Sequence, residues 1–193
     1  MTSLPDQPVG QFLDDVAART PAPGGGAAAA ITAALAAGLV AMAARFSQAQ
    51  LPGAAEIASR ADELRHRATE LVTEDGQAYG CVLEAFALPR DAGTGERDQR
   101  IRAALERAAA LPGEMTQIAA EVAAMAARLA AEGNPNLRGD SIAAALLAEA
   151  SARSAAALVD INVDLGGLST GLSQGAAQNV AIASAAAQQA FAG

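Results

Sequence analysis

The stretch Thr20-Pro21-Ala22-Pro23-Gly24-Gly25-Gly26, followed by an uncharged run to Ala44, decides how this chain folds. The two prolines disfavour a helix before Pro23, and the three glycines then let backbone N–H groups turn toward one point where a helix begins. Exposed amides at such a helix start suit an anion or a carbonyl oxygen. The alternative is that the glycines only let another helix pass closely, and the spacing alone favours that alternative.

The run from Gly24 to Ala44 is long enough to cross a membrane. Most of it is Ala and Gly, which gain little from lipid but let several helices approach closely. We therefore predict a buried central helix of a bundle, without membrane contact. The first twenty residues lack the basic leading segment of a secretory signal, so we expect a cytoplasmic protein.

The composition favours an all-α protein. The chain has 193 residues, of which 52% are hydrophobic and 3% aromatic, enough for one domain with a sizeable core. Ala and Leu dominate and β-branched residues are sparse, which predicts a single-domain bundle of long, Ala-rich, mostly antiparallel helices over residues 1–193. A net charge of −8 disfavours nucleic acid and anionic lipid as partners.

Neither an internal disulfide nor a metal site is expected. Cys81 is the one cysteine, and its apolar helical neighbours favour a packed side chain over a nucleophile. His66, the one histidine, lies between two arginines on a predicted solvated face. We therefore expect no metal.

One carboxylate falls within the apolar stripe of a predicted helix over residues 54–88. Small and apolar residues recur there at spacings of three and four, at Ile57, Ala61, Leu64, Ala68, Leu71, Ala78, Val82 and Ala85. Asp75 belongs to the same series, so the periodicity directs its carboxylate inward. A buried carboxylate is tolerated when it is paired, hydrogen-bonded or in use. The residues alone leave a structural hydrogen bond and a functional role equally open.

Proline, glycine and acidic residues divide the second half of the chain. Pro112 within the helical stretch 96–132 predicts a kink or two consecutive helices, and Gly133-Asn134-Pro135-Asn136 ends that stretch. Asp140 is predicted to be the N-cap of the next helix, a role sufficient to explain it. The glycine-rich segment 165–175 predicts a loop before the last helix.

Four segments, taken in order, cover nearly the whole chain. They are Phe12-Leu13 with Thr20 to Gly26, then Glu74-Asp75-Gly76-Gln77-Ala78-Tyr79 leading to Ala87-Leu88-Pro89-Arg90, then Gly133-Asn134-Pro135-Asn136 with Asp140, and Ala144 to Glu149 continuing to Ile161-Asn162-Val163. In this combination the chain resembles the formiminotransferase-cyclodeaminase C-terminal domain and the stand-alone methenyltetrahydrofolate cyclohydrolases.

The resemblance implies an all-helical, homodimeric enzyme that acts on a tetrahydrofolate without a metal or nucleotide cofactor. In the cyclohydrolase reaction, water opens the bridge of 5,10-methenyltetrahydrofolate to give the N10-formyl compound. In the cyclodeaminase reaction, a formimino group on N5 closes onto N10 with loss of ammonia. Both reactions pass through a tetrahedral carbon between two nitrogens and need proton transfer in a pocket that excludes stray water. The cyclohydrolase is slightly favoured because this chain carries no formiminotransferase domain.

Carried over residue by residue, the resemblance implies Asp75 as the proton-transferring carboxylate, or as the group that holds the pterin ring, and Asp140 as a second catalytic candidate. The residues implied to bind substrate supply backbone amides, neutral hydrogen-bonding groups and cations. They are Pro23, Gly24, Gly25, Gly26, Asn134, Asn136, Asn162, Arg90 and Arg138.

Three positions depart from the family's pattern. Ala27 and Gly139 stand where Ser is common, and Arg90 stands where Lys is frequent. These departures leave open a catalytically inactive folate-binding relative, and a purely structural helical bundle is the third possibility. Stabilisation by a reduced folate distinguishes the bundle from the other two, and turnover distinguishes the enzyme from the binder.

Overall fold

Helices make up all the regular structure in the residues that the computed structural model describes, 7–90 and 95–192. The α-helices are α1 (Val9–Ala17), α2 (Gly25–Arg45), α3 (Ala54–Ala87), α4 (Glu96–Glu132), α5 (Arg138–Gly166) and α6 (Gly171–Ala192), and a 3₁₀ turn (Pro135–Leu137) precedes α5. The all-α fold predicted from composition is confirmed.

Neighbouring helices run mostly antiparallel. The start of α2 faces the second half of α3, where Gly26 meets Asp75, and the end of α2 faces the first half, where Arg45 pairs with Asp62. The pairs α3 and α4, α4 and α5, and α5 and α6 are also antiparallel, as their cross-helix bonds show at Arg60–Glu121, Arg67–Glu114, Asn162–Ala108, Arg153–Ser184 and Arg138–Ala190.

The second helix, α2, lies at the centre of the bundle. It packs against α3, α4 and α5, and its alanines form much of the main hydrophobic core. By length and hydropathy alone, α2 and the segment Pro135–Gly166 could each cross a membrane. In the bundle, 61% of the apolar stretch of α2 is buried by other parts of the protein. The prediction of a buried central helix is confirmed.

The fourth helix continues through Pro112 as one element, so of the two predicted alternatives, a kink or two consecutive helices, the second is excluded. A proline has no N–H, which leaves the carbonyl of Ala108, four residues earlier, without its helical donor. The side chain of Asn162 on α5 donates to that carbonyl at 2.9 Å. This hydrogen bond offsets part of the disruption that Pro112 causes.

Two element boundaries and one side chain differ from the sequence predictions. α5 begins at Arg138, so Asp140 lies in its first turn and is not the N-cap. The preceding 3₁₀ turn already supplies helical geometry, and an acidic residue still suits the first turn. α6 begins at Gly171, within the predicted loop. Cys81 is exposed because it lies off the narrow buried stripe of α3.

Candidate functional site

The side chain of Asp75 lies at the N-terminus of α2. The first intrahelical bond of α2 runs from the Ala28 N–H to the Gly24 oxygen at 3.0 Å, so the amides before Ala28 have no acceptor within the helix. One of them, the N–H of Ala27, donates to Asp75. The stripe of α3 is buried as its periodicity predicts, and Asp75 is half-buried within it.

The Asp75 carboxylate touches the backbone of Gly26. A Cβ placed on Gly26 would overlap the carboxylate carbon and both of its oxygens, whereas one placed on Gly24 or Gly25 would meet nothing within 4 Å. Only the third glycine is therefore required for the close approach of α3. The two roles considered for the glycines, close passage of another helix and exposure of amides at a binding site, are therefore compatible. The group that comes closest to Gly26 is the carboxylate of Asp75 itself.

Burial raises the pKa of Asp75 above the ordinary value of an aspartate, and the hydrogen bond from the Ala27 N–H offsets part of this shift. The adjacent Glu74 shows the opposite behaviour. Its pKa is lowered chiefly by hydrogen bonds from Arg67, which more than offset its desolvation. The pKa values of these two neighbouring carboxyl groups therefore shift in opposite directions. Asp75, whose pKa is raised, is the one that faces inward.

Asp75 lines a cavity of about 450 Å³ between the start of α2, the second half of α3, the first part of α4 and the end of α5. It is the one charged side chain among the described residues of the lining. Sequence analysis missed several mostly apolar members of that lining, Tyr79, Leu105, Leu158, Ile161 and Leu165. Tyr79 lies one turn after Asp75 on α3, so the helical spacing could have identified it.

Asn162 brings one hydrogen-bond acceptor to this cavity. Its amide nitrogen donates to the carbonyl oxygens of Ala108 and Leu158, both at 2.9 Å. Carbonyl oxygens can only accept, so the orientation of the side-chain amide is fixed and both of its protons are used. The side-chain oxygen of Asn162 remains available as a hydrogen-bond acceptor, which suits an N–H or O–H donor of a ligand.

The carboxylate of Asp140 lies far from the cavity. It is 22 residues before Asn162 on α5, which is roughly 33 Å at the rise of an α-helix. Asp75 and Asp140 therefore do not form one site within a single chain. Gly139, the second departure from the family's pattern, lies beside Asp140 at the same remote end and is exposed.

Asn134, Asn136 and Arg138 cluster at that remote end with structural hydrogen bonds. The Asn134 side chain donates to the Phe46 oxygen at 3.1 Å and accepts from the Asn136 N–H at 3.0 Å. The Arg138 guanidinium donates to the carbonyl oxygens of Ala190 and Phe191 at the end of α6. These bonds join the ends of helices, and none of the three residues lines the cavity.

The remaining predicted residues divide between the cavity and its surroundings. Gly24, Gly25 and Gly26 line the cavity, whereas Pro23 is buried just outside the lining. Arg90 is exposed beyond the end of α3 and does not line it either. Within residues 7–90 and 95–192, no three His, Cys, Asp or Glu side chains lie together as metal ligands would.

Ala27 is fully buried, and its contribution to the site is its backbone amide. The hydroxyl of the Ser that is common at this position is not needed for the hydrogen bond to Asp75. The change to Ala therefore leaves the observed carboxylate–amide contact in place.

Among the described residues that line the mostly apolar cavity, the one charged side chain is a carboxylate with a raised pKa, and these are features of an enzyme with a small organic substrate. Residues 8–166 match the family model described as Formiminotransferase-cyclodeaminase. The chain belongs to this family, as its sequence motifs predict.

Individual relatives agree with this assignment. The chain is 33% identical over 162 residues to the methenyltetrahydrofolate cyclohydrolase of Methylorubrum extorquens, covering 78% of this chain and 76% of that protein. It is 32% identical to the formimidoyltransferase-cyclodeaminase of Mus musculus over 72% of this chain, which spans 27% of the mouse protein.

The fold also matches a solved structure. The crystal structure of formiminotetrahydrofolate cyclodeaminase from Thermotoga maritima superimposes with a TM-score of 0.85 and 26% sequence identity. The match covers 96% of this chain and 94% of the other. The similarity therefore extends over essentially the whole bundle, including the helices that form the cavity.

Proposed function

We propose that the protein hydrolyses 5,10-methenyltetrahydrofolate to 10-formyltetrahydrofolate in the cavity beside Asp75. The observation that carries this proposal is a half-buried carboxylate, with a raised pKa, facing a mostly apolar cavity of about 450 Å³. A carboxylate with a raised pKa is a stronger base than an ordinary aspartate, which favours a group that accepts and returns a proton. The similarity to the Methylorubrum cyclohydrolase supports this choice of reaction.

In this proposal Asp75 moves the proton. Its carboxylate takes a proton from the water that adds to the bridge carbon, and a tetrahedral carbon with one hydroxyl forms between N5 and N10. The bond from that carbon to N5 then breaks, N5 takes up a proton, and the hydroxyl loses its own as the formyl carbonyl forms. The overall reaction consumes one water and releases one proton.

Three features of the cavity besides Asp75 support this chemistry. The amides of Gly25 and Gly26 lie at the start of α2, where a helix favours the negative charge that develops on the substrate's oxygen. The oxygen of Asn162 accepts a hydrogen bond from an N–H of the substrate and so orients it. The apolar remainder of the lining keeps stray water away from the reacting carbon.

The second candidate reaction is the cyclodeaminase reaction, favoured by the match to the Thermotoga structure. There Asp75 would give its proton to the departing ammonia. The two reactions are distinguished by following the loss of methenyl absorbance with 5,10-methenyltetrahydrofolate and the release of ammonia with 5-formiminotetrahydrofolate, each against a buffer blank. Turnover of neither substrate would contradict both, and a thermal shift with the same folates would then distinguish a binder from a structural bundle.

The rate should depend on pH through Asp75. Burial raises the pKa of this carboxyl, so it becomes protonated on acidification before an ordinary aspartate would. A protonated Asp75 cannot take the proton from water. We therefore expect kcat/KM to fall as the pH drops through a value above the usual aspartate range, and a profile that stays flat down to that range would contradict the role of base.

A homodimer in the cytoplasm completes the proposal. Large apolar side chains are exposed on several helices, among them Val9 and Leu13 on α1, and Tyr79, Leu83 and Phe86 along one side of α3. Burial of such a surface between two copies is favourable. We expect analytical ultracentrifugation to give twice the mass of one chain, and Leu83→Glu to shift the species toward the monomer. A wild-type monomer would contradict the dimer, and cell fractionation would test the location.

A further inference from the structure

Among the described residues, the cavity lining offers no cationic side chain to pair with the negative charge of the proposed substrate. A folate carries the carboxylates of its glutamate tail, yet no arginine lines the cavity in the part of the chain that the structure describes. The two cations considered from the sequence also do not line it. Arg138 is bonded to the end of α6 at the remote end of the bundle, and Arg90 is exposed beyond α3.

A small groove with two arginines lies where α3 ends and α4 begins. It has a volume of about 300 Å³ and is lined by Leu88, Pro89, Glu96, Arg97 and Arg100. The Arg97 side chain is only 21% exposed. Its guanidinium donates to the backbone oxygens of Leu88 at 3.0 Å and Phe86 at 3.1 Å, which fixes one cation over the end of α3.

The groove lies on the same side of the bundle as the mouth of the cavity. On α3, Val82 lines the cavity and Phe86, which Arg97 contacts, lies one turn further along. On α4, Arg97 precedes the cavity residue Leu105 by eight residues, about two turns or roughly 12 Å. The cavity residue Ala108 follows Arg97 by eleven residues, about three full turns, so these two side chains lie on the same side of α4.

This separation suits a folate whose reacting nitrogens lie in the cavity. One aromatic ring and one amide separate N10 from the glutamate, so its carboxylates lie on the order of 10 Å away, given bond lengths of about 1.4 Å. Phe86, whose oxygen Arg97 contacts, lies eleven residues after Asp75 on α3, roughly 16 Å away. The tail of about 10 Å spans this distance when the reacting carbon lies about 3 Å from Asp75 and the carboxylate about 3 Å from the guanidinium. The tail of a substrate bound beside Asp75 can therefore reach Arg97 and its neighbour Arg100. A carboxylate there would form charge-assisted hydrogen bonds.

The carboxylate partners of these arginines can be exchanged for those of a substrate, while the bonds from Arg97 to the backbone oxygens of α3 remain. Arg100 pairs with Glu96 at 2.9 Å, but the side chains are 62% and 66% exposed, so the pair is held weakly. The carboxylate of Asp98, 3.8 Å from Arg97, is 86% exposed. We propose that Arg97 and Arg100 form the subsite for the glutamate carboxylates of the substrate. This inference rests on the proposed function.

The test compares a substrate with the same molecule lacking its glutamate, 5,10-methenyltetrahydrofolate against 5,10-methenyltetrahydropteroate. We expect wild type to show a lower KM for the glutamate-bearing substrate, and Arg100→Gln and Arg97→Gln each to reduce this preference about three- to tenfold with little change in kcat. Glu96→Gln should have the opposite effect, because it removes a competing carboxylate from the groove.

Arg102→Gln is the matched control. Arg102 pairs with Glu106 four residues away, is exposed to a similar extent as Arg100 and does not line the groove. An equal loss of preference in Arg102→Gln would overturn the subsite in favour of a general charge effect. An unchanged preference in Arg97→Gln and Arg100→Gln, with far-UV circular dichroism showing intact helices, would overturn it as well.

Calorimetric binding of tetrahydrofolate and tetrahydropteroate makes the same comparison without turnover. Wild type could bind tetrahydrofolate more tightly than tetrahydropteroate, with both groove variants reducing this preference, and yet turn over no substrate. That result would overturn the proposed reaction and support the subsite. Turnover without any preference for the glutamate would overturn the subsite alone. Binding of neither compound would overturn both.

Discussion

Asp75→Asn should lower kcat for 5,10-methenyltetrahydrofolate by about 10³-fold, within the 10²–10⁴ range of general acid–base catalysis. The amide of Asn cannot take a proton from water. Its oxygen can still accept the hydrogen bond from the Ala27 N–H, so the start of α2 keeps its contact with α3. The measurement is the initial rate of methenyl loss over the buffer blank. A variant with more than a tenth of the wild-type rate would exclude Asp75 as the proton-transferring group.

The same variant should fold at least as well as wild type. The raised pKa means that the folded state holds the Asp75 proton more tightly than the unfolded state, so folding stability declines as the pH rises through the unfolded and then the folded pKa. Above that window the ionised carboxylate is a cost that Asn removes. We expect an equal or higher melting temperature at neutral pH, and a marked drop would reveal that activity was lost through unfolding.

Gly26→Ala should disrupt the site and the packing together. The new Cβ would occupy the position of the Asp75 carboxylate, which must turn away and give up the Ala27 N–H. Overpacking of this kind costs about 1–3 kcal/mol, and a displaced catalytic group costs about 10²-fold in rate. Thermal unfolding and kcat/KM measure the two effects.

Gly25→Ala is the control for this substitution. It adds the same methyl group one residue earlier on α2, where nothing lies within 4 Å. Its melting temperature should therefore equal or exceed that of wild type, because Ala favours the helix. If the Gly26→Ala protein were as stable and as active as Gly25→Ala, the position of Asp75 would not depend on the absence of a side chain at Gly26.

The sequence predicted the helices well where periodicity was strong. The stripe of α3 identified eight buried positions and the inward direction of Asp75, because a long helix repeats its buried face regularly. The continuity of α4 through Pro112 could not be predicted, because it is assisted by Asn162 from α5. The start of α5 was missed by three residues because the 3₁₀ turn before it supplies the initial geometry.

The site was only partly predictable for the same reason. Asp75 and the glycines of α2 are each conspicuous in their own segment, but only the family resemblance assigned them to one site, and their direct contact was not predicted. Asn134 and Asp140 are as conspicuous in their segment as Asp75 is in its own, but the length of α5 places that segment at the opposite end of the bundle. Local pattern does not distinguish a polar residue that joins helix ends from one that lines a cavity.

The most direct test measures the rate of loss of 5,10-methenyltetrahydrofolate for wild type, Asp75→Asn and Asp140→Asn at equal protein concentration. We predict that Asp140→Asn keeps the wild-type rate, because Asp140 lies 18 residues, or roughly 27 Å, before Leu158, the first cavity residue of α5, and that Asp75→Asn falls close to the buffer rate. An active Asp75→Asn protein beside an inactive Asp140→Asn protein would contradict the assignment of the reaction to this cavity.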